Sequence, residues 1–190
     1  MTREFDTTNL CFRLPARQDL EALADMRADP VATRYTGGQP ASRNESWDRL
    51  IRYRGYWGIL GYGYWCVRER LTGRFVGTIG FGEARRGIEP SLDGYPEAGW
   101  VLASWCHGRG YGGEGVAAAL DWLDTQTDHR VARCIIDPDN LASMKLARRH
   151  GFGPLARTRY LGSVIDVLER QRGGVTICPD PGPVPVPDAE

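Results

Sequence analysis

Apolar and polar positions alternate with two different periods along this chain, and each period predicts one kind of element. The alternation over Leu10–Leu14 predicts a first strand. Apolar residues then recur at helical spacing over Arg17–Ala28, which predicts a short amphipathic helix that ends before Pro30. The capping-box spacing of Ser42 and Glu45 predicts a second helix, which should run to about residue 53, just before a glycine.

The apolar period shortens to that of a strand after residue 63. Tyr64–Arg68 and Arg74–Phe81 are apolar runs joined by a Leu-Thr-Gly turn, and together they predict a β-hairpin. Residues 84–96 are polar and rich in turn formers, and they predict a long loop of the kind that often serves function. Glu97–Ser104 predicts the strand that leads into a glycine-rich turn.

Helices and strands alternate in the second half of the chain. The predicted elements are a helix over Glu114–Thr125, a buried strand over Val131–Ile136, a helix over Leu141–His150 and a last strand over Ser163–Leu168. Asn140 suits the N-cap of the last helix, and Gly151 suits its C-terminal cap. This order of elements predicts an α+β (mixed α/β) fold, with a central mixed sheet flanked by helices.

Composition and charge narrow the class of protein. The chain has 190 residues, of which 42% are hydrophobic and 25% are charged, and its formal net charge is zero. Such a composition is typical of a globular domain, and zero charge gives no electrostatic reason to expect nucleic acid or an anionic membrane as a partner. Neither a transmembrane run nor a signal peptide is found in the sequence, so a cytoplasmic protein is expected.

The cysteines and the C-terminus add two further expectations. The five cysteines are odd in number and include no C-x-x-C pair, which favours reduced thiols over a disulfide framework or a zinc site. No metal is therefore expected. Residues 171–190 change in character, and their last part, 179–190, contains five prolines and no core-forming pattern. This composition predicts an extended or disordered tail.

The glycine-rich turn at 107–113 lies between a predicted strand and a predicted helix. Glycines allow the chain to turn so that successive N–H groups converge at the positive end of the helix, and a phosphate or pyrophosphate is the expected ligand. Residues 108–113 also match GxGxxG, but a dinucleotide-binding fold places that turn after its first strand rather than after a hairpin. A P-loop is excluded, because no Gly-Lys-Ser/Thr follows.

Trp105–Glu114 resembles motif A of the GNAT superfamily of acyl-CoA-dependent N-acyltransferases. That motif reads Gln/Arg-x-x-Gly-x-Gly/Ala, and here His107, Gly110 and Gly112 occupy its three defined positions. Histidine at the first position departs from the pattern. The departure does not disable the motif, since most of the contacts are expected from backbone N–H groups.

A second resemblance lies at the expected distance. Asn140 and Ser143, followed by His150-Gly-Phe, resemble the family's Asn-x-x-Ala/Ser and x-Gly-Phe. Residues 10–30 and 63–81 resemble the branch that contains the ribosomal-protein-alanine N-acetyltransferases. The resemblance covers residues 9–170, which are expected to form one N-acetyltransferase domain whose sheet splays apart beside the motif-A strand.

The resemblance implies acetyl-CoA as co-substrate and a position for each part of it. The pantetheine arm would pair with the motif-A strand, the pyrophosphate would lie on the N–H groups of the glycine turn, and the second motif would hold the far side. The residues implied are Trp100, Val101, Leu102, His107, Gly108, Arg109, Gly110, Tyr111, Gly112, Asn140 and Ser143.

The resemblance also implies direct attack of a neutral amine on the thioester. A free α-amino group has a pKa near ~8, so a base must take its proton, and an acid must protonate the leaving thiolate. Glu97, at the start of the motif-A strand, is the predicted base, and Glu83 is its alternative. Ser143 is the predicted acid, because Ala147 occupies the position at which many members carry a tyrosine.

Three functions stay open on the sequence. The first is an N-acetyltransferase that acts on a primary amine, either a protein N-terminus or a small molecule. The others are a non-catalytic acyl-CoA-binding or regulatory module and an NAD(P)-binding protein. The sequence leaves open the acceptor, the acyl chain and the choice between monomer and homodimer.

About two-thirds of one aromatic cluster is assigned to the core and the rest to an acceptor groove with loop 84–96. The cluster comprises Trp47, Tyr53, Tyr56, Trp57, Tyr62 and Tyr64.

Overall fold

The computed structural model describes residues 3–36 and 39–173. The chain divides into two units. One consists of the described parts of Met1–Gly82 together with Gly99–Thr127. The other consists of Glu83–Ala98 together with the described part of Asp128–Glu190. We call them the first and the second unit. One strand contributes residues to both, because the division falls inside it.

The first unit is built on antiparallel strands. They are β1 (Phe5–Asp6), β2 (Leu10–Arg13), β3 (Tyr64–Glu69), β4 (Phe75–Gly82) and the C-terminal part of β5 (Glu97–Leu102). Strands β1 to β4 pair in chain order, each antiparallel to the next, and β5 follows β4. The predicted hairpin is confirmed as β3–β4, whereas β1, only two residues long, has too short a pattern to be predicted.

The helices of the first unit are α1 (Leu20–Ala28), α2 (Pro30–Thr33), α3 (Arg43–Ile59) and α4 (Tyr111–Gln126). The capping box at Ser42 is confirmed, since its hydroxyl accepts from the Glu45 N–H at 3.2 Å. The expected end of α3 at about residue 53 is wrong. The buried face continues through Tyr53 and Trp57, and its packing outweighs the roughly 1 kcal/mol that a helical glycine costs.

The start of α1 also differs from the prediction. Residues 17–19 form a 3-10 turn, and the α-helix begins at Leu20. The cause is the buried Asp19 carboxylate, which accepts from the Ala16 N–H at 3.0 Å and from Arg68 Nη2 at 2.7 Å. The predicted helix end before Pro30 is confirmed, and this proline then begins α2.

Three tryptophans lie at the centre of the first unit. Trp57 of α3, Trp65 of β3 and Trp122 of α4 meet edge to face, with ring centres 4.8 to 5.2 Å apart. Trp57 Nε1 donates to the Tyr64 carbonyl at 2.8 Å, so the buried indole N–H is satisfied. These contacts fix both helices against the sheet.

The second unit is a mixed sheet with one helix. It contains the N-terminal part of β5, β6 (Val131–Ile136), α5 (Leu141–Arg149), β7 (Gly153–Tyr160) and β8 (Ser163–Gln171). Strand β6 is parallel to β5, with Glu97 opposite Arg133, and antiparallel to β8, which pairs with β7 in a hairpin. The predicted α+β fold with a mixed sheet is confirmed.

Two expectations concern the ends of the chain and the membrane. Strand β8 runs to Gln171, one residue into the segment assigned to the tail, and residues 174–190 lie outside the described residues. Within 3–36 and 39–173, every helix is too short or too polar to cross a bilayer.

Candidate active site

The turn after β5 is built on two left-handed glycines. Gly108 has φ 76° and Gly110 has φ 84°, and a Cβ added at either would meet nothing within 4 Å. Glycine is therefore required by the backbone conformation rather than by crowding. The open space over both residues leaves the backbone of the turn accessible to a ligand.

The N–H groups of the turn fall into two sets. Those of His107 and Arg109 donate within the loop, to the carbonyls of Ser104 at 3.2 Å and Cys106 at 3.3 Å. Helix α4 begins at Tyr111, so the N–H groups of residues 111–113 belong to its first turn, which has no acceptor inside the helix. The anion-binding capacity is thus concentrated at these three N–H groups and the positive helix end.

The predicted helix start at Glu114 is wrong by three residues. Gly110 is the N-cap in the left-handed conformation, and the first intrahelical bond runs from the Glu114 N–H to its carbonyl at 3.1 Å. The two adjacent glycines at 112 and 113 suggested a turn, although their backbone is helical. The motif-A glycine Gly112 therefore lies in the helix and not in the loop.

Polar side chains fix the first turn of α4. The Glu114 carboxylate accepts from Thr7 Oγ1 at 2.5 Å, from the Asn9 N–H at 2.7 Å and from Asn9 Nδ2 at 2.8 Å. Burial raises the pKa of Glu114, but these hydrogen bonds outweigh it and the pKa is lowered. The Tyr111 hydroxyl donates to Glu69 at 2.5 Å. The anion-binding end of the helix is therefore held in one place.

Side chains of the turn rest on neighbouring groups. Arg109 and Arg74 both lie over the Trp105 ring, with Cζ 5.3 Å and 3.9 Å from its centre. The indole N–H donates to the Phe75 carbonyl at 3.0 Å, which fixes the ring. The exposed His107 places Nε2 3.0 Å from the Leu102 carbonyl oxygen. Two guanidinium groups thus flank the turn.

Strand β5 presents the half-buried residues 100–102 in the first unit. A Cβ on Gly77 of β4 would lie 2.1 Å from the Val101 carbonyl oxygen, so the two backbones approach closely at this point. A Cβ on Gly99 would lie 2.2 Å from the Tyr64 hydroxyl. The tyrosine therefore reaches the backbone of β5 directly before the residues assigned to pantetheine.

Aromatic and cationic side chains continue from Tyr64 in the first unit. Its ring stacks on Tyr53 with centres 4.2 Å apart, and Tyr56 lies 6.5 Å away. Arg49 Cζ is 5.8 Å from the centre of the Tyr53 ring. Arg27 interacts electrostatically with both Arg49 and Tyr53. Sequence reasoning assigned the aromatic residues in part to an acceptor groove but did not single out the two arginines.

Glu97 lies in the second unit and is 5% exposed. Arg86 Nε donates to both of its carboxylate oxygens at 3.0 Å, and Arg86 Nη2 lies 2.6 Å from Oε1. This fork-shaped pairing stabilises the charged carboxylate and occupies lone pairs that a base would use. Arg86 was missed in the sequence, because charge in a long polar loop does not name a partner.

Glu83 differs from Glu97 although both are acidic residues at strand ends of the same loop. Its side chain is 10% exposed, and Arg85 Nη2 lies 2.7 Å from Oε1. That approach is not aligned as a hydrogen bond, and Oε1 is buried without a hydrogen-bond partner among residues 3–36 and 39–173. Arg85 is 71% exposed, whereas Arg86 is 20% exposed, so the Arg85–Glu83 contact is more open to solvent than the Arg86–Glu97 pair.

The second motif lies at the start of α5 in the second unit. Asn140 Oδ1 accepts from the Ser143 N–H at 3.1 Å, which confirms the predicted N-cap. Ser143 is half-buried in the first turn, and Ala147 is fully buried. The position at which many members carry a tyrosine is thus filled by a core methyl group.

The two units divide the predicted site residues. Trp100 to Gly112 belong to the first unit, whereas Glu97, Asn140 and Ser143 belong to the second. A cavity of about 730 Å³ in the first unit contains none of them in its lining, which includes Arg13, Asp19 and Arg54. In the described part of the chain, no three His, Cys, Asp or Glu side chains are grouped to hold a metal ion.

An antiparallel hairpin, a further strand, a glycine turn and a helix follow one another in the order that the family resemblance implied. The family model described as an acetyltransferase (GNAT) domain matches residues 9–153. The chain belongs to this family and is an N-acetyltransferase, as the sequence predicted.

Individual relatives agree with this assignment. The chain is 27% identical to a Bordetella pertussis protein designated a GnaT-family acetyltransferase, with a TM-score of 0.80 over 89% of this chain and 99% of that one. It is 28% identical over 146 residues to the uncharacterized protein YkkB of Bacillus subtilis (strain 168), which is 75% of this chain and 80% of that protein.

A more distant structure shares the fold. It is RimL, a ribosomal L7/L12 α-N-protein acetyltransferase in complex with coenzyme A, at 18% identity and a TM-score of 0.70 over 87% of this chain and 96% of that one. That protein therefore shows the same fold with coenzyme A bound to it.

Proposed function

We propose that this protein transfers the acetyl group of acetyl-CoA to a primary amine by direct attack in a ternary complex. The observation that carries the proposal is the turn after β5, where two left-handed glycines precede the first-turn N–H groups of α4, which have no acceptor inside the helix. A new C–N bond forms and the C–S bond breaks. The amine loses one proton, and the leaving thiolate gains one.

Coenzyme A fits the residues present. The N–H groups of residues 111–113 would hold the pyrophosphate, and residues 100–102 of β5 would hold the pantetheine arm. His107, Gly108, Arg109 and Gly110 are proposed to border that site, and Asn140 and Ser143 of the second unit remain proposed cofactor-binding residues. When bound, acetyl-CoA supplies an activated acyl group, and an N–H of β5 is the proposed donor to the oxyanion.

Two carboxylates remain candidates for the base. Glu97 was favoured on sequence, but Arg86 engages both of its oxygens, whereas Glu83 keeps one buried oxygen without a hydrogen bond in the described chain. This contrast supports Glu83 as the group that accepts the proton of the amine, directly or through water. Ser143 remains the proposed acid, supported by the buried Ala147 at the alternative position.

Thiol release on mixing with acetyl-CoA and a panel of amines tests the proposal. Turnover with at least one amine is expected. Tight binding of acetyl-CoA without turnover on any amine would favour a non-catalytic acyl-CoA-binding module. A melting temperature raised by NAD and not by acetyl-CoA would favour the dinucleotide alternative.

A cytoplasmic location is the final part of the proposal. It is supported by Cys11, Cys66, Cys106 and Cys134, all of which are free thiols. Fractionation of cells that express the protein at its natural level would test it, and recovery in an oxidising compartment would contradict it.

A further inference from the structure

The first unit contains two arginines, Arg27 and Arg49, that form no salt bridge among residues 3–36 and 39–173. Arg27 lies near the end of α1, and its Nε is buried without a hydrogen-bond partner in the same residues. Burial and then the charge of Arg49 lower the pKa of the Arg27 guanidinium.

The carboxylate of Glu45 compensates only a small part of this charge, since burial and Arg49 outweigh it and the pKa of Arg27 is lowered. This carboxylate influences Arg27 least of the neighbouring groups, and it is committed to the cap of α3, where it accepts from the Ser42 N–H and hydroxyl, both at 2.7 Å. A partly buried cation without a counterion is costly, and natural proteins seldom keep one without a use.

An unbroken series of contacts joins this pair to β5. Arg49 lies over Tyr53, Tyr53 stacks on Tyr64, and the Tyr64 hydroxyl reaches the backbone at Gly99. Strand β5 is where the proposed function places the pantetheine arm, so the amine to be acetylated would lie near this strand. The stacked rings of Tyr53 and Tyr64 would therefore lie between the arginine pair and the amine.

We infer that Arg27 and Arg49 bind an anionic group of the acceptor, so that the substrate class is primary amines that carry a carboxylate several bonds away. The inference rests on the proposed function and names its acceptor. An α-amino carboxylate is too short, since its two charges are adjacent. A peptide N-terminus with acidic side chains at its second and third residues fits, because an extended chain spans about 3.3–3.6 Å per residue. A polyamine carries only positive charge and would be repelled.

Matched acceptors test this inference. The first pair consists of two tetrapeptide amides, one that begins Ala-Asp-Asp and one that begins Ala-Asn-Asn. The second pair consists of an ω-amino carboxylate of similar length and the corresponding carboxamide. Thiol release gives kcat/KM for each. We expect the wild-type protein to prefer the anionic member of at least one pair by about tenfold or more. The pair with the larger preference identifies the source, peptide or small molecule.

Arginine variants then assign the preference. Arg27→Gln and Arg49→Gln should each reduce it, the double variant should abolish it, and Arg27→Lys should retain part of it. Arg52→Gln is the matched control, because Arg52 is exposed on the same helix as Arg49. Melting temperatures confirm that each variant is folded, and if Arg27→Gln is not, Arg49→Gln and Arg27→Lys carry the test.

Two failures are distinguishable. Equal kcat/KM for anionic and neutral acceptors in the wild type, or a preference that survives in the double variant, would overturn the inference and leave acetyl transfer intact. The absence of transfer to every amine, with acetyl-CoA bound, would overturn the proposed function as well.

Discussion

Two sets of arginines, one in each unit, have different surroundings. In the second unit, Arg86, Arg133 and Arg157 each contact a carboxylate, with shortest N–O distances of 2.6, 2.8 and 2.6 Å. In the first unit, Arg27 and Arg49 form no salt bridge among the described residues, although Arg13, Arg43 and Arg68 of the same unit do. The first arrangement stabilises the fold, whereas the second leaves positive charge available to a ligand. Charge that is already neutralised cannot recognise a substrate.

The largest effect is expected where a paired arginine is removed. Arg86→Met leaves the Glu97 carboxylate, whose side chain is 7% exposed, without its counterion. Removal of one partner from a buried pair costs about 3–5 kcal/mol, and the partial exposure of Arg86 reduces this to about 2–3 kcal/mol. Urea unfolding measures the loss, and a change below about 1 kcal/mol would show that the pair is not structural.

A carboxylate added to the turn should strongly weaken coenzyme A binding. Gly110→Asp places negative charge beside the N–H groups of α4 and adds a side chain at φ 84°. We expect the Kd for acetyl-CoA to rise about 100-fold, from loss of attraction and from strain. Gly61→Asp is the matched control, since Gly61 has φ 78° and equally open space. Equal affinities in the two variants, measured by calorimetry, would remove the turn from the site.

The elements around this turn show which features of the fold and the site could be predicted from the sequence. The apolar run Val131–Ile136 predicted β6 with its observed bounds, although the structure buries alternate residues rather than the whole strand. The ends of α3 and α4 were missed, since local glycine preferences gave way to the burial of Trp57 and to a left-handed N-cap at Gly110. The Arg86–Glu97 pair could not be predicted, because it depends on the path of a loop across the second unit.

The two candidate bases, Glu83 and Glu97, differ in how an arginine contacts each carboxylate. Glu83→Gln should lower kcat by about tenfold or more, because the carboxylate proposed to accept the proton of the amine is lost. Glu97→Gln should chiefly lower stability, since its oxygens are committed to Arg86. Steady-state kinetics with urea unfolding separates the two effects. A pH–rate profile changed only by Glu97→Gln would restore the original assignment of the base.

Removal of an unpaired arginine should cost little stability. Arg27→Met relieves a buried cation and its repulsion from Arg49, so the free energy of unfolding should change by less than about 1 kcal/mol or increase. The measurement is the same urea titration used for Arg86→Met. A loss as large as that of Arg86→Met would mean that Arg27 has a structural partner after all.

The smallest effect concerns a histidine beside two arginines. Burial, then Arg149 and Arg170, lower the pKa of His150 in the folded protein. In the unfolded chain the histidine pKa is ~6.5, so at lower pH the unfolded state binds more protons than the folded state. The stability that neutral His150 contributes is therefore present above this pKa and is lost as the pH falls through the folded pKa. Denaturation midpoints between about pH 7 and 5 should fall less steeply in Arg170→Gln than in the wild type. Identical slopes would contradict this.

The bonds that Thr7 and Asn9 donate to Glu114 have a practical consequence for handling the protein. They connect residues 7 and 9 to the helix end that we propose for pyrophosphate. A fusion partner or a protease cut placed just before residue 7 would disturb these hydrogen bonds. Apparent affinity for acetyl-CoA would then depend on what directly precedes residue 7 in the recombinant protein.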